Sequence, residues 1–190
     1  MYGINERVNF VPFKYIVNSI KKKPDVIFTY WLSTFINMET LYSLSKYYSV
    51  PIIFHISDMA VFTGGCHFSL SCVGFEKGCY DCPGTLTSTF NKLVPYKNVL
   101  FKNFFLDKTE HKIIAPSSDI KYKLRKSTLF SRSDIHMIPY TLNKEKWYKS
   151  NNKTQSKLKL NINKDCIVIF FAALNFEQER KGFKHLKKVL

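Results

Sequence analysis

Arginine is scarce in this chain. Of 29 basic residues only four are arginine, Arg7, Arg125, Arg132 and Arg180, and the lysines are scattered among many Asn, Ile, Phe and Tyr residues. Proteins that read nucleic acid use arginine forks and a basic stripe along one element. Neither is seen here, so nucleic acid is not expected as a partner. Acidic residues are few as well, 14 in all, which leaves a net charge of +15. That charge points to an acidic partner such as anionic lipid or a phosphorylated ligand, or else reflects the composition an AT-rich genome produces. Long apolar runs are missing. The longest, Cys166 to Leu174, is too short to span a bilayer, and no apolar secretory segment opens the chain. The expectation is a cytoplasmic protein, with Lys21-Lys22-Lys23 offering a peripheral contact with anionic membrane at the inner face of the plasma membrane.

What is present suffices for a sizeable core: 190 residues, 45% hydrophobic and 16% aromatic. Short apolar runs alternate with helical spacing. Val11 to Lys22 carries Val11, Tyr15, Ile16 and Ile20 on one face and stops before Pro24. Asp25 to Tyr30 suits a buried strand, Asn37 can cap a helix through about Tyr48, and Val50 to Ile56 is the next strand. A helix around Leu93 to Asp107, a strand Lys112 to Ala115, a helix capped at Ser117 or Ser118, and a strand Ile135 to Ile138 follow. Strands separated by helices predict an α/β fold with a Rossmann-like parallel sheet. Residues 1–142 form this domain, with a cysteine-rich insertion at 63–85.

Residues 143–163 are polar and lysine-rich and read as a linker, with Lys149 to Ser156 as the hinge. Residues 164–190 then hold a buried strand, Cys166 to Ala173, and the opening of a helix, E-R-K-G-F-K-H-L. One strand and one helical turn cannot bury a core, so this reads as the start of a second Rossmann-like domain that is cut off.

Four of the five cysteines, Cys66, Cys72, Cys79 and Cys82, fall in the stretch from Ser57 to Pro83. Cys79-x-x-Cys82 has the spacing of half a zinc site, whereas Cys66-x5-Cys72 is looser, with His67 as an alternative ligand. A structural zinc, disulfide staples and buried free thiols all fit these spacings. A catalytic metal does not, because four protein ligands leave no open position. Cys166, on its apolar run, reads as a small core residue.

The wording around the cysteines is more specific than their spacing. D-M-A-V-F-T-G-G-C-H-F-S, then Cys72 and C-Y-D-C-P, resembles a segment of the family-4 glycosyltransferases that build bacterial surface polysaccharides. There it usually reads H-D-M-W-x-F-T-G-x-C-H-Y-S, with the same later cysteines. Four further pieces match in order: K-P-D-V-I-F-T-Y-W, I-I-A-P-S-S, I-P-Y-T-L-N-K-E-K-W and A-A-L-N-F-E-Q-E-R-K-G-F-K-H-L. The resemblance runs from about Pro24 onward. It implies the GT-B arrangement of two Rossmann-like domains facing a cleft. It also implies transfer of a sugar, with retention, from a UDP- or GDP-linked sugar to a glycan or lipid-linked acceptor, with no cofactor required for catalysis.

By the same resemblance Asp58 is a catalytic-site residue, and Arg180 and Lys181, beside Gly182 at a helix N-terminus, take the donor diphosphate. Thr63, Gly64, Gly65 and His67 fall on the loop lining the cleft; as residues alone, the Thr63-Gly64-Gly65 stretch reads nearly as well as a plain turn. The sequence departs from the family in two ways. Ser57 stands where the family has the histidine of H-D-M, and Ala60 replaces its tryptophan. His55, two residues earlier on the same face of the strand, either compensates or is a satisfied core histidine. Moreover, the family's opening strand and nearly all of its donor domain are missing, so this chain alone is expected to be inactive. The alternatives are a zinc-containing basic binding module and the inactive product of a split or degraded gene.

Overall fold

The computed structural model describes residues 6–85, 89–149 and 152–190. The chain divides into two compact units, Met1–Tyr140 and Thr141–Leu190.

The first unit is built on one parallel sheet. Strands β1 (Ile27–Thr29), β2 (Ile52–His55), β3 (His111–Ala115) and β4 (Ile135–Met137) lie side by side in chain order. Ile27 pairs with Ile52, Ile52 with His111, and Ile113 with Ile135, all in parallel register. Parallel neighbours must be joined by crossovers, which is why every second apolar run is a helix. The sequence reading of an α/β Rossmann-like sheet holds, and the strands are shorter than the apolar runs that announce them.

Alternation within β2 sets the two faces. Ile52 and Phe54 are fully buried, while Ile53 and His55 are half-buried on the other side. Phe54 packs near Phe130, and Ile113, Ala115 and Leu124 complete the core beneath the sheet. Helix α1 (Phe13–Ser19) stops three residues short of the run its periodicity suggests, because Ile20 turns extended ahead of Pro24. Helix α2 (Met38–Tyr48) begins where expected, with Asn37 Oδ1 accepting from the Thr40 amide at 2.9 Å. It buries Leu41, Leu44 and Tyr48.

Helix α3 (Thr89–Leu106) starts earlier than its apolar spacing suggests and runs through Pro95. Pro95 is the seventh residue of the helix, past its first turn, so the helix continues through it at the loss of one intrahelical bond. Helix α4 (Ser118–Lys126) is capped by Ser117, whose Oγ accepts from the Ile120 amide at 3.3 Å. Between β2 and α3 the backbone has little regular structure beyond two short 3-10 segments, Ala60–Phe62 and Gly74–Lys77.

The second unit corrects two expectations. Residues 166–173 pair with no strand among the described residues, and Ile167, Phe170 and Leu174 are almost fully exposed. A strand is a property of a pair, since its amides and carbonyls need a neighbouring ladder, and this unit supplies none. Cys166, expected in a core, is exposed for the same reason. Within the polar stretch read as a linker lies a short helix, α5 (Lys153–Lys159), capped by Asn152. Helix α6 (Phe183–Val189) forms where the sequence places a helix.

Candidate functional site

In open parallel sheets, ligands gather beyond the carboxyl ends of the strands. Here β1 delivers Tyr30 and Trp31 to that edge, β2 delivers Ser57 and Asp58, and β4 leads to Tyr140. Asp58 is buried. Its Oδ1 accepts from the Ala60 amide at 2.8 Å, which fixes the carboxylate across the first 3-10 turn. Its Oδ2 lies 2.7 Å from His67 Nδ1, and His67 is buried too. The carboxylate accepts, so Nδ1 is the donor, and a neutral ring would keep Nε2 as an acceptor. Trp31 stacks on the His67 ring with centroids 4.7 Å apart and planes 18° from parallel.

An aromatic shelf lies beside this pair. His55 stacks on Tyr30 at 5.2 Å and tilts against Tyr140 at 5.4 Å. Tyr30, Trp31 and Tyr140 are each about half exposed. His55 is no satisfied core histidine, because its buried Nδ1 has no hydrogen-bond partner among the described residues. Burial, followed by the Tyr30 hydroxyl that hydrogen-bonds it, pushes the Tyr140 phenol up to about 12. Ser57 is half-buried and donates to the Tyr30 carbonyl at 3.3 Å, tying the ends of β1 and β2 together. A cleft of about 20 Å³ between Trp31, Ser57, Asp58 and Lys102 has room for roughly one water.

Thr63, Gly64 and Gly65 are turned inward, so the plain-turn reading fits them better than the cleft. The Thr63 side chain is wholly buried, donating to the Cys66 carbonyl at 2.9 Å and accepting from the Gly65 amide at 3.2 Å. A Cβ on Gly64 would lie 2.5 Å from Pro95 Cβ, so only glycine fits against α3 there. The loop is also pinned from α3. Asn98 donates to the Gly64 carbonyl at 2.9 Å, and the buried Lys102 ammonium donates to the carbonyls of Ala60 and Thr63 at 2.6 and 2.9 Å. Lys102 also pairs with the buried Glu6 at 3.0 Å. Of the expected loop residues, His67 alone joins Asp58.

Cys66, Cys72, Cys79 and Cys82 are all free thiols gathered on one loop. The Gly64 amide donates to Cys79 Sγ at 3.2 Å and the Gly74 amide to Cys72 Sγ at 3.3 Å. Burial pushes the Cys79 thiol up to about 11, and it raises Cys66 and Cys82 as well. Among the described residues, no three His, Cys, Asp or Glu side chains are arranged to hold a metal ion as they lie.

Arg180 and Lys181 occupy a single 3-10 turn, Glu179–Lys181, in the second unit, and both are exposed. Gly182 follows at φ 77°, and its amide donates to the Glu179 carbonyl at 3.0 Å. Tyr30, Trp31, Tyr140 and Lys102 escaped the sequence reading. The first three lie just past strand ends, and that position was the signal available for them. No helix of the described residues is long and apolar enough to cross a membrane. Comparison with family models, with curated proteins and with solved structures finds no match to this chain.

Proposed function

We propose that this chain is the acceptor-side part of a retaining glycosyltransferase. It would act with a nucleotide-diphosphate sugar as donor and a glycan or lipid-linked acceptor. The observation that carries the reading is the buried Asp58–His67 pair, set at the carboxyl edge of a parallel sheet beside exposed aromatic rings. A glycosyl acceptor presents hydroxyls together with apolar C–H faces. Tyr30, Trp31 and Tyr140 suit the faces, and an imidazole whose Nδ1 is held by a carboxylate suits a hydroxyl. When the acceptor oxygen bonds to the anomeric carbon, the bond to the diphosphate breaks and the hydroxyl proton must leave. On this reading His67 Nε2 accepts a hydrogen bond from that hydroxyl, and the proton leaves with the departing diphosphate oxygen. By resemblance, Arg180 and Lys181 would meet the diphosphate charge.

The exposed apolar residues at 167, 170 and 174 favour a second reading within the first, in which the chain by itself does not transfer sugar. The basic-module alternative has less support. Lys102, Lys112, Lys123 and Arg125 are engaged in separate places, with Glu6, Asp134, Asp119 and the carbonyls of Ser131 and Ser133.

Fluorescence tests the reading. The chain has two tryptophans, so in a Trp147→Phe background the emission comes from Trp31. Titration with a panel of glycans is expected to change that emission saturably, and Asp58→Asn to weaken the response. No response to any glycan, with vesicles or nucleic acid binding instead, would sink it.

A further inference from the structure

The loop between β2 and α3 carries a second group of chemistry-bearing side chains that sugar transfer does not use. We propose that Cys66, Cys72, Cys79 and Cys82 form a structural zinc site, binding the cation through four thiolates. This stands independently of the glycosyltransferase reading.

Three observations carry it. First, the loop's contacts draw cysteines that are separated in the sequence toward one another. Gly64, two residues before Cys66, donates its amide to Cys79 Sγ at 3.2 Å. A methyl placed on Gly74 would sit 3.2 Å from Cys72 Sγ and 3.9 Å from Cys79 Cα, so those two residues flank one glycine. Cys82 follows Cys79 at the short spacing that supplies half of a tetrahedral site.

Second, three of the four sulfurs face a backbone donor. Gly64 serves Cys79 and Gly74 serves Cys72. The Gly84 amide serves Cys82, while the Thr63 hydroxyl is committed to the Cys66 carbonyl. N–H and O–H groups aimed at sulfur stabilise thiolate far more than thiol, and such groups around the ligands tune a bound metal.

Third, the loop needs a staple. Among its described residues, regular structure is limited to short 3-10 turns, yet Leu70, Cys79 and Asp81 hold left-handed backbone at φ 50°, 57° and 53°. Non-glycine residues stay there only when their surroundings fix them. As they lie the sulfurs do not enclose an ion, so binding has to draw them inward. A cation that displaces their protons supplies the attraction, and its binding energy becomes folding energy for the loop. With four protein ligands the metal has no open position, so its role is structural.

The test uses the full chain, purified without chelator, then stripped and reduced. Zinc is expected to co-purify stoichiometrically. Cobalt(II) added to the reduced apo protein should give the intense visible bands and near-ultraviolet charge-transfer absorption of a tetrahedral thiolate site. Cys79→Ser and Cys82→Ser should abolish that spectrum and Cys166→Ser should leave it intact. Should a serine variant fail to fold, the cobalt spectrum of the unmodified chain decides alone. A featureless cobalt spectrum with no co-purified zinc overturns the proposal. So does loss of the spectrum on Cys166→Ser, or mass spectrometry of the native protein showing these cysteines joined as disulfides.

Discussion

Asp58 Oδ2 meets His67 Nδ1 at 2.7 Å with both side chains buried, nine residues apart along the chain. The other carboxylate oxygen is occupied by the Ala60 amide, so the pair has a single orientation. Asp58→Asn keeps the shape but offers an amide where the ring needs a carboxylate. It should lower stability by about 1–3 kcal/mol, the usual penalty for a lost charged hydrogen bond in a buried place. On the proposed glycosyltransferase reading it should also weaken the glycan-induced change in Trp31 emission by about tenfold in apparent affinity. Urea unfolding and glycan titration read the two effects. A variant with normal stability and a normal titration would show that the pair has no role.

Lys102 is the second buried charge, and it holds the loop from α3. Its ammonium meets Glu6 and two loop carbonyls, those of Ala60 and Thr63. Lys102→Met fills the same space but leaves Glu6 buried without its cation. The expected loss is about 3–5 kcal/mol in a denaturant melt, typical of breaking a buried pair from one side. Adding Glu6→Gln should restore part of it, because the stranded charge is then gone. An unchanged midpoint in the single variant would show that the pair is solvated.

Tyr140 should titrate late. Burial and the neighbouring Tyr30 raise its phenol from an ordinary 10 to about 12, so the folded chain keeps this proton while the unfolded chain gives it up. The contribution to stability is therefore full below the unfolded value near 10 and is lost as pH rises through about 12. Ultraviolet titration of phenolate should show one tyrosine lagging the others. Tyr30→Phe should bring it back toward the rest by removing the hydrogen bond. A lagging tyrosine that persists in Tyr30→Phe would assign the shift to burial alone.

The sheet was legible in the sequence because each of its strands is an apolar run bracketed by helical spacing, and because Asn37 and Ser117 announce the helices that follow β1 and β3. Residues 166–173 show where that reasoning stops. Their apolar pattern is as strong as that of 50–56, but pattern selects a face to bury and cannot supply the neighbouring strand. Asp58 was singled out by its motif, whereas its partner read as a loop residue and an alternative zinc ligand, since the loop's path decides which side chains return to the strand end. Lys102 and Glu6 were illegible for another reason. Charged residues are taken as solvated unless a partner is visible, and theirs lies far away along the chain.

Gly64 and Gly182 separate two reasons for a glycine, and that separation can be measured. Gly64 is crowded: a Cβ there would meet Pro95 Cβ at 2.5 Å and the Pro95 backbone at 2.6 Å. Pro95 sits inside α3 and is fully buried, so it cannot yield as a flexible side chain would. Gly182 has nothing within 4 Å of the same position, and its constraint is its φ of 77°. Gly64→Ala should therefore cost roughly 1–3 kcal/mol by overpacking. It should also loosen the hydrogen bonds from Asn98 and to Cys79 that hold the loop. Gly182→Ala should cost about 1–2 kcal/mol through backbone strain, confined to the turn before α6. In a Trp147→Phe background, thermal melts followed by Trp31 emission report the first unit. Gly64→Ala is expected to lower that midpoint, and Gly182→Ala to leave it in place. Equal behaviour of the two variants would mean that the loop bearing His67 does not rest against α3.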